Sequence, residues 1–108
     1  MDILLTCALG ASTSALVNKM KSALEEDPEL DSSDFSIEAV STEDLEDHVK
    51  QNNVDVMLLG PQIRYKKQEL TEIYTKQGIK VEVINPQDYG TMKGANVLQT
   101  ALELKEDN

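Results

Sequence analysis

Apolar positions along the chain follow two alternating rhythms. Short apolar runs occupy residues 2–6, 35–40, 54–59 and 80–84, each the length of a strand. The run Val54-Asp55-Val56-Met57-Leu58-Leu59 carries one charge only, the pattern of a central parallel strand covered on both faces. Elsewhere the spacing lengthens to three and four residues. Leu16, Met20, Ala23 and Leu24 share one helical stripe, Ile63, Leu70, Ile73 and Tyr74 a second, and Ala95, Leu98, Ala101 and Leu102 a third. A shorter helix after the second strand would bury Leu45 and Val49. Ser41 is placed to cap it, with Asp44 three residues on.

Breakers fall between these segments. Pro28 stops the first helix, and Asp31-Ser32-Ser33-Asp34 reads as a mobile polar connector. Gly78 stands where a helix-terminating glycine belongs, just before the fourth strand. The order βαβαβαβα predicts an α/β fold of three layers, α/β/α, with a four-stranded parallel sheet. Right-handed crossovers and a first strand near the middle of the sheet give the strand order 2-1-3-4. Residues 1–108 are expected to form a single domain. Ligands of such sheets sit at the carboxyl ends of the strands where the winding reverses, here between the first and third strands. Cys7 follows the first strand and Gly60-Pro61-Gln62 follows the third, which places both at that point.

Charge then narrows the partners. Lys and Arg number 10 against 20 Asp and Glu, a net charge of −10 that would repel nucleic acid and anionic lipid. The acid concentrates in residues 25–31 and 43–47, read as solvated surface, with a docking face for a basic partner as the alternative. No run approaches the ~18 apolar residues of a membrane span. The N-terminal apolar run is too short for a signal peptide and lacks a basic leader, so a cytoplasmic location is expected. One cysteine allows no internal disulfide and no cysteine-rich zinc site.

That cysteine opens an uncharged run of small residues. Cys7 is followed by Ala8, Leu9, Gly10, Ala11, Ser12, Thr13 and Ser14, a loop that feeds a helix. The positive end of a helix and unpaired backbone N–H groups both favour a thiolate and can hold a tetrahedral dianion beside it. Gly10, Ala8 and Ala11 let the backbone curl round an anion, and three hydroxyls stand ready to donate. A helix dipole supplies only ~0.3–1 kcal/mol, so several amide hydrogen bonds must add to it. A buried structural cysteine before an ordinary Ser/Thr cap fits the local pattern equally well.

The segment Ile3-Leu4-Leu5-Thr6-Cys7-Ala8-Leu9-Gly10-Ala11-Ser12-Thr13-Ser14-Ala15-Leu16-Val17, with Lys19-Met20 after it, resembles the opening of a known family. That family comprises the IIB components of the phosphoenolpyruvate-dependent sugar phosphotransferase system, of the lactose/cellobiose/chitobiose type. Asp55-Val56-Met57-Leu58-Leu59-Gly60-Pro61-Gln62-Ile63-Arg64-Tyr65 resembles its third strand and following turn, and Val81-Glu82-Val83-Ile84-Asn85 to Asp88-Tyr89-Gly90 its fourth strand and loop. The resemblance implies a flavodoxin-like fold and a phosphohistidine–sugar phosphotransferase activity. A IIA partner would pass its phosphoryl group to Cys7, which would hand it to a sugar held by the membrane component IIC. It implies no metal or organic cofactor and no membrane insertion of this chain. The acidic stretch from 25 to 34 departs from the better-known members.

Other residues bear on this reading. His48, the sole histidine, lies among acidic neighbours and reads as a solvated helix residue. Arg64 is the sole arginine. A low-molecular-weight phosphatase-like hydrolase needs arginine six residues after its cysteine, and Thr13 stands there instead. It also needs a general acid, for which Asp88, after the fourth strand, could approach the loop. A non-catalytic module that senses a phosphorylated partner is a further alternative. Pro61, Gln62, Tyr65 and Tyr89 are candidates for the rim of the site. Gln62 could hydrogen-bond a phosphocysteine or a partner, with a plain surface role as the competing reading, and Pro61 and the two tyrosines have an ordinary structural role as theirs. Arg64, Lys66 and Lys67 form the main basic cluster, read as a solvated face before a docking patch.

Overall fold

In the computed structural model, residues 1–8 and 11–106 are described, Ala11 and Ser12 by their backbone alone. Strands β1 (Asp2–Cys7), β2 (Ser36–Ser41), β3 (Val56–Leu59) and β4 (Lys80–Val83) form a parallel sheet in the order β2-β1-β3-β4. The order is the one expected from the crossover rule. Helices α1 (Ala11–Glu26), α2 (Leu45–Gln51), α3 (Lys67–Tyr74), α4 (Pro86–Gly90) and α5 (Gly94–Glu106) complete the layers.

The period-two alternation of the strands divides the core in two. Ile3, Leu5, Ile37, Val56, Leu58 and Ile84 pack with Leu16, Val17, Met20 and Leu24 of α1 and with Val97, Leu98 and Ala101 of α5. On the opposite face Leu4, Met57, Leu59 and Val81 pack with Leu45 of α2, Ile63, and Leu70 and Tyr74 of α3. Each fully buried Leu or Ile contributes about 1.5–3 kcal/mol of transfer free energy, which is how helices as short as α2 and α3 persist.

Several elements differ from the sequence expectation, each for a local reason. Residues 61–66 form a 3-10 turn, Pro61–Lys66, kinked at Ile63 (φ −114°, ψ 24°), so Ile63 does not belong to the stripe of α3. Leu70 and Tyr74 set the buried line of that helix, and Ile73 turns outward, 47% exposed. On α5 the buried face is Gly94, Val97, Leu98 and Ala101, and Ala95 is exposed. Gly94 is there because a Cβ would lie 2.4 Å from the backbone carbon of Lys19, so α1 and α5 touch through bare backbone.

Ser41 does not cap a helix through its side chain. Its hydroxyl donates to the Asp44 carboxylate at 3.2 Å, and a 3-10 turn, Thr42–Asp44, precedes α2. The connector expected to be mobile is a 3-10 turn, Ser32–Asp34. Asp31 accepts from the Ser33 hydroxyl and amide at 2.7 and 3.0 Å, and these bonds hold its carboxyl below the usual range. α4 is an extra helix, started by Asn85, whose Oδ1 accepts from the amides of Gln87 and Asp88, with Pro86 at its first position. Gly78 adopts φ +81° and closes the 3-10 turn Thr75–Gln77 that prolongs α3.

Candidate functional site

Cys7 is the last residue of β1, paired with Ser41 of β2, and not the first residue of the loop. Strand pairing therefore fixes its backbone, and 4% of the residue is exposed. The end of β3 is tied to the same place, because the Gly60 amide donates to the Thr6 carbonyl at 2.9 Å. Gly60 sits so close that a Cβ on it would lie 3.2 Å from the Cys7 Sγ and 2.9 Å from the Gln62 Oε1. Its missing side chain makes room for the sulfur and for the amide beyond it. The thiol donates to Gln62 Oε1 at 3.6 Å. The two arms of the switch point, separated by 55 positions, thus meet at one sulfur atom.

α1 starts four residues past Cys7 and carries no acidic residue in its first turn, so its positive end is unopposed from within. Thr13 is fully buried there, and Ser14 is exposed. Ala8, just after β1, is exposed. Leu9 and Gly10, and the side chains of Ala11 and Ser12, lie outside the described residues.

The structure sorts the remaining candidates. Pro61 is buried at the start of its 3-10 turn, and Gln62 beside it reaches Cys7. Tyr65 is 75% exposed on the same turn. Tyr89 lies in the core on the face of α1 and α5, 7% exposed. Asp88 accepts from the Asn96 side-chain amide of α5 at 3.1 Å. His48 is not the solvated residue expected: its side chain is 16% exposed, and Nε2 lies 3.1 Å from the Glu38 carboxylate on β2. In the basic cluster, Lys67 pairs with Glu82 at 2.9 Å, and Arg64 is exposed. Acidic residues Glu25, Glu26, Glu29, Asp31, Glu43, Asp44, Glu46 and Asp47 are all exposed. Among the described residues no helix is long and apolar enough to cross a membrane.

Counting along the chain puts Gly60 at the reversal point; the room it makes for the sulfur is what that reading leaves out. Its signal was present: a glycine that closes an otherwise continuous apolar strand and precedes proline marks a close approach of backbone to something else.

The parallel sheet thus has a lone thiol at its reversal point and a helix starting just beyond. The chain belongs to the lactose/cellobiose family of IIB subunits of the sugar phosphotransferase system: residues 2–100 match the family described as "PTS system, Lactose/Cellobiose specific IIB subunit". It is 40% identical over 105 residues to the galactose-specific EIIB component of Lactococcus lactis subsp. cremoris (strain MG1363), covering 94% of each chain. It is 39% identical over 105 residues to the cellobiose-specific EIIB component of Lactococcus lactis subsp. lactis (strain IL1403), again with 94% of each covered. The solution structure of a cellobiose-specific phosphotransferase IIB component from Borrelia burgdorferi is similar in fold and sequence. Its TM-score is 0.76 at 39% identity, over 99% of this chain and 93% of that one. The protein is a phosphotransferase of this system, a phosphoryl carrier in sugar transport. IIB components work with IIA and IIC partners.

Proposed function

We propose that Cys7 is the residue that carries the phosphoryl group. The observation that supports it most is the meeting of the Cys7 thiol with the Gly60–Gln62 turn at the reversal point of the sheet, just before the start of α1. In the first transfer the thiolate attacks phosphorus on a phosphohistidine of the IIA partner. The S–P bond forms as the P–N bond breaks, and the bond's electron pair stays on the imidazole nitrogen. In the second, the oxygen of a sugar hydroxyl bound by IIC attacks phosphorus, the O–P bond forms as the S–P bond breaks, the electron pair leaves with the sulfur as thiolate, and the hydroxyl proton passes to water.

The loop amides of residues 8–14 and the hydroxyls of Ser12, Thr13 and Ser14 hold the three peripheral oxygens through both steps. A cradle of amides and hydroxyls binds a dianion more mildly than arginine, which suits a group that must be passed on. Thr13 in place of that arginine weighs against the hydrolase reading. Residues 1–108 act as one IIB domain in the cytoplasm, meeting the inner face of the membrane transiently through IIC. Relatives that match this chain equally well are named for galactose and for cellobiose, which supports recognition of the sugar elsewhere, in the membrane component.

The test uses phosphoenolpyruvate, the general relay enzymes and a panel of IIA proteins. The wild-type protein is expected to take up one stable phosphoryl group, and Cys7→Ala to show none above background. Label retained on Cys7→Ala overturns the assignment. Continuous release of inorganic phosphate by the wild type would move the protein to the hydrolase class.

A further inference from the structure

We propose that the side-chain amide of Gln62 is a reversible partner of the reacting sulfur, accepting a hydrogen bond from the Cys7 thiol through Oε1 and donating one to the thiolate through Nε2. The proposal deepens the reading of Cys7 as the reacting group and rests on it.

The geometry starts with a mismatch. In the protonated state the thiol has a hydrogen to give, and Oε1 at 3.6 Å is there to take it. A thiolate has none, and its charge would face the lone pairs of the same oxygen. Either the amide moves away or it turns half a revolution about its last torsion and presents Nε2–H to the sulfur. The second course exchanges two groups of nearly equal size, so the surrounding atoms need not move. It also replaces a weak neutral contact by a charge-assisted bond of roughly twice the strength. On ionisation the proton leaves to bulk water and the electron pair stays on sulfur.

The turn is built to let the amide move while its backbone stays. Gly60 is anchored to Thr6, and its carbonyl accepts from the Ile63 amide at 3.0 Å. Pro61 and Ile63, on either side of Gln62, are both buried. Gln62 itself is exposed, and the bare Cα of Gly60 leaves its Oε1 the room that a Cβ at 2.9 Å would take. Charged groups on the segments leaving this end of the sheet are otherwise engaged or exposed. Glu43 is exposed and Asp44 takes the Ser41 hydroxyl after β2, Arg64 is exposed after β3, and Asp88 takes the Asn96 amide after β4. Among the described residues, the hydrogen bond recorded for the sulfur is that with Gln62.

Because the chain has one cysteine, iodoacetamide reports on Cys7 alone. The alkylation rate of the full chain is followed from about pH 5 to 10 for the wild type, Gln62→Leu and Gln62→Glu, with circular dichroism to confirm the fold. Leucine removes the donor, and the midpoint of the profile is expected to rise so that the rate at pH 7 falls about tenfold, one unit of midpoint. Glutamate cannot donate and brings a like charge, so its rate at pH 7 falls several-fold further. The high-pH plateau stays the same in all three. An unmoved midpoint in Gln62→Leu, a glutamate profile no higher than that of leucine, or a change confined to the plateau overturns the proposal. Alkylation needs no phosphoryl donor, so failure here leaves the carrier reading standing, and failure of the labelling test leaves this one.

Discussion

At the scale of single residues, the site depends on an atom that is absent. Gly60 has φ −58° and ψ 145°, a backbone conformation open to any residue, so alanine there meets no torsional penalty. Its cost is purely one of contact: the new methyl group would press on the Gln62 amide at 2.9 Å and on the Cys7 sulfur at 3.2 Å. The amide end is exposed and can give way, but the Cys7 sulfur and Cβ at 3.2 and 3.3 Å are buried, so the fold should lose about 1 kcal/mol, the low end for overpacking. The chemistry should suffer more than the fold. Gly60→Ala is expected to slow Cys7 alkylation at pH 7 several-fold while the urea midpoint moves little, measured on the same samples. Equal alkylation in the two proteins would show that the Gly60 gap does not serve the sulfur.

At the scale of elements, the contact between α1 and α5 positions the helix that follows the site. Gly94 is buried against the backbone of Lys19 and Met20, and a Cβ would come within 2.4–2.6 Å of three main-chain atoms. No flexible side chain can yield there, so Gly94→Ala must part the helices. A loss of about 3 kcal/mol, the upper range for overpacking, is expected in chemical denaturation. Gly78→Ala serves as the control. It has open space around its Cα and pays only for φ +81°, roughly 1–2 kcal/mol. If the two variants are equally stable, the close approach of α1 and α5 is not what Gly94 provides.

The same elements show what the sequence discloses and what it withholds. Strand positions and sheet order were legible because nearly continuous apolar runs and a right-handed crossover leave few arrangements. Cys7 and Gln62 could be placed at one end of the sheet by counting alone. A hydrogen bond from Gln62 to the site was open from its place, but its contact with the free thiol depends on the Gly60 backbone leaning onto Thr6, which counting does not give. Helix phase was also hidden. Ile73 and Ala95 fit an apolar stripe by spacing, yet the kink at Ile63 and the backbone contact of Gly94 set the buried faces otherwise. His48 looked solvated because its sequence neighbours are acidic, while its partner, Glu38, comes from β2.

At the scale of the whole molecule, the pole of the sheet opposite the site is closed by one carboxylate. Asp55, just before β3, accepts from the Asp2 amide at 2.7 Å and from Lys105 Nζ in the last turn of α5 at 2.9 Å. It joins the start of β1, the start of β3 and the end of the chain's last helix. The Asp2 amide is the main cause that holds its carboxyl below the usual aspartate range. Partial burial opposes this, and Lys105 adds to it. A carboxyl whose folded value is depressed lends stability above the unfolded value and loses it as pH falls through the folded one. Asp55→Ala should therefore cost about 1–2 kcal/mol at pH 7, in the range for a hydrogen bond to a partly exposed charge. The deficit should shrink from about pH 4 downward, as the wild-type carboxylate takes up its proton, until the two denaturation curves meet. Phosphoryl uptake at 25 °C should be unchanged, because Asp55 lies at the amino end of β3 and Cys7 at the carboxyl end of β1. A deficit that persisted undiminished in acid would mean that Asp55 acts by packing and not by charge. Loss of phosphoryl uptake in a folded Asp55→Ala protein would show that the two poles of the sheet are coupled.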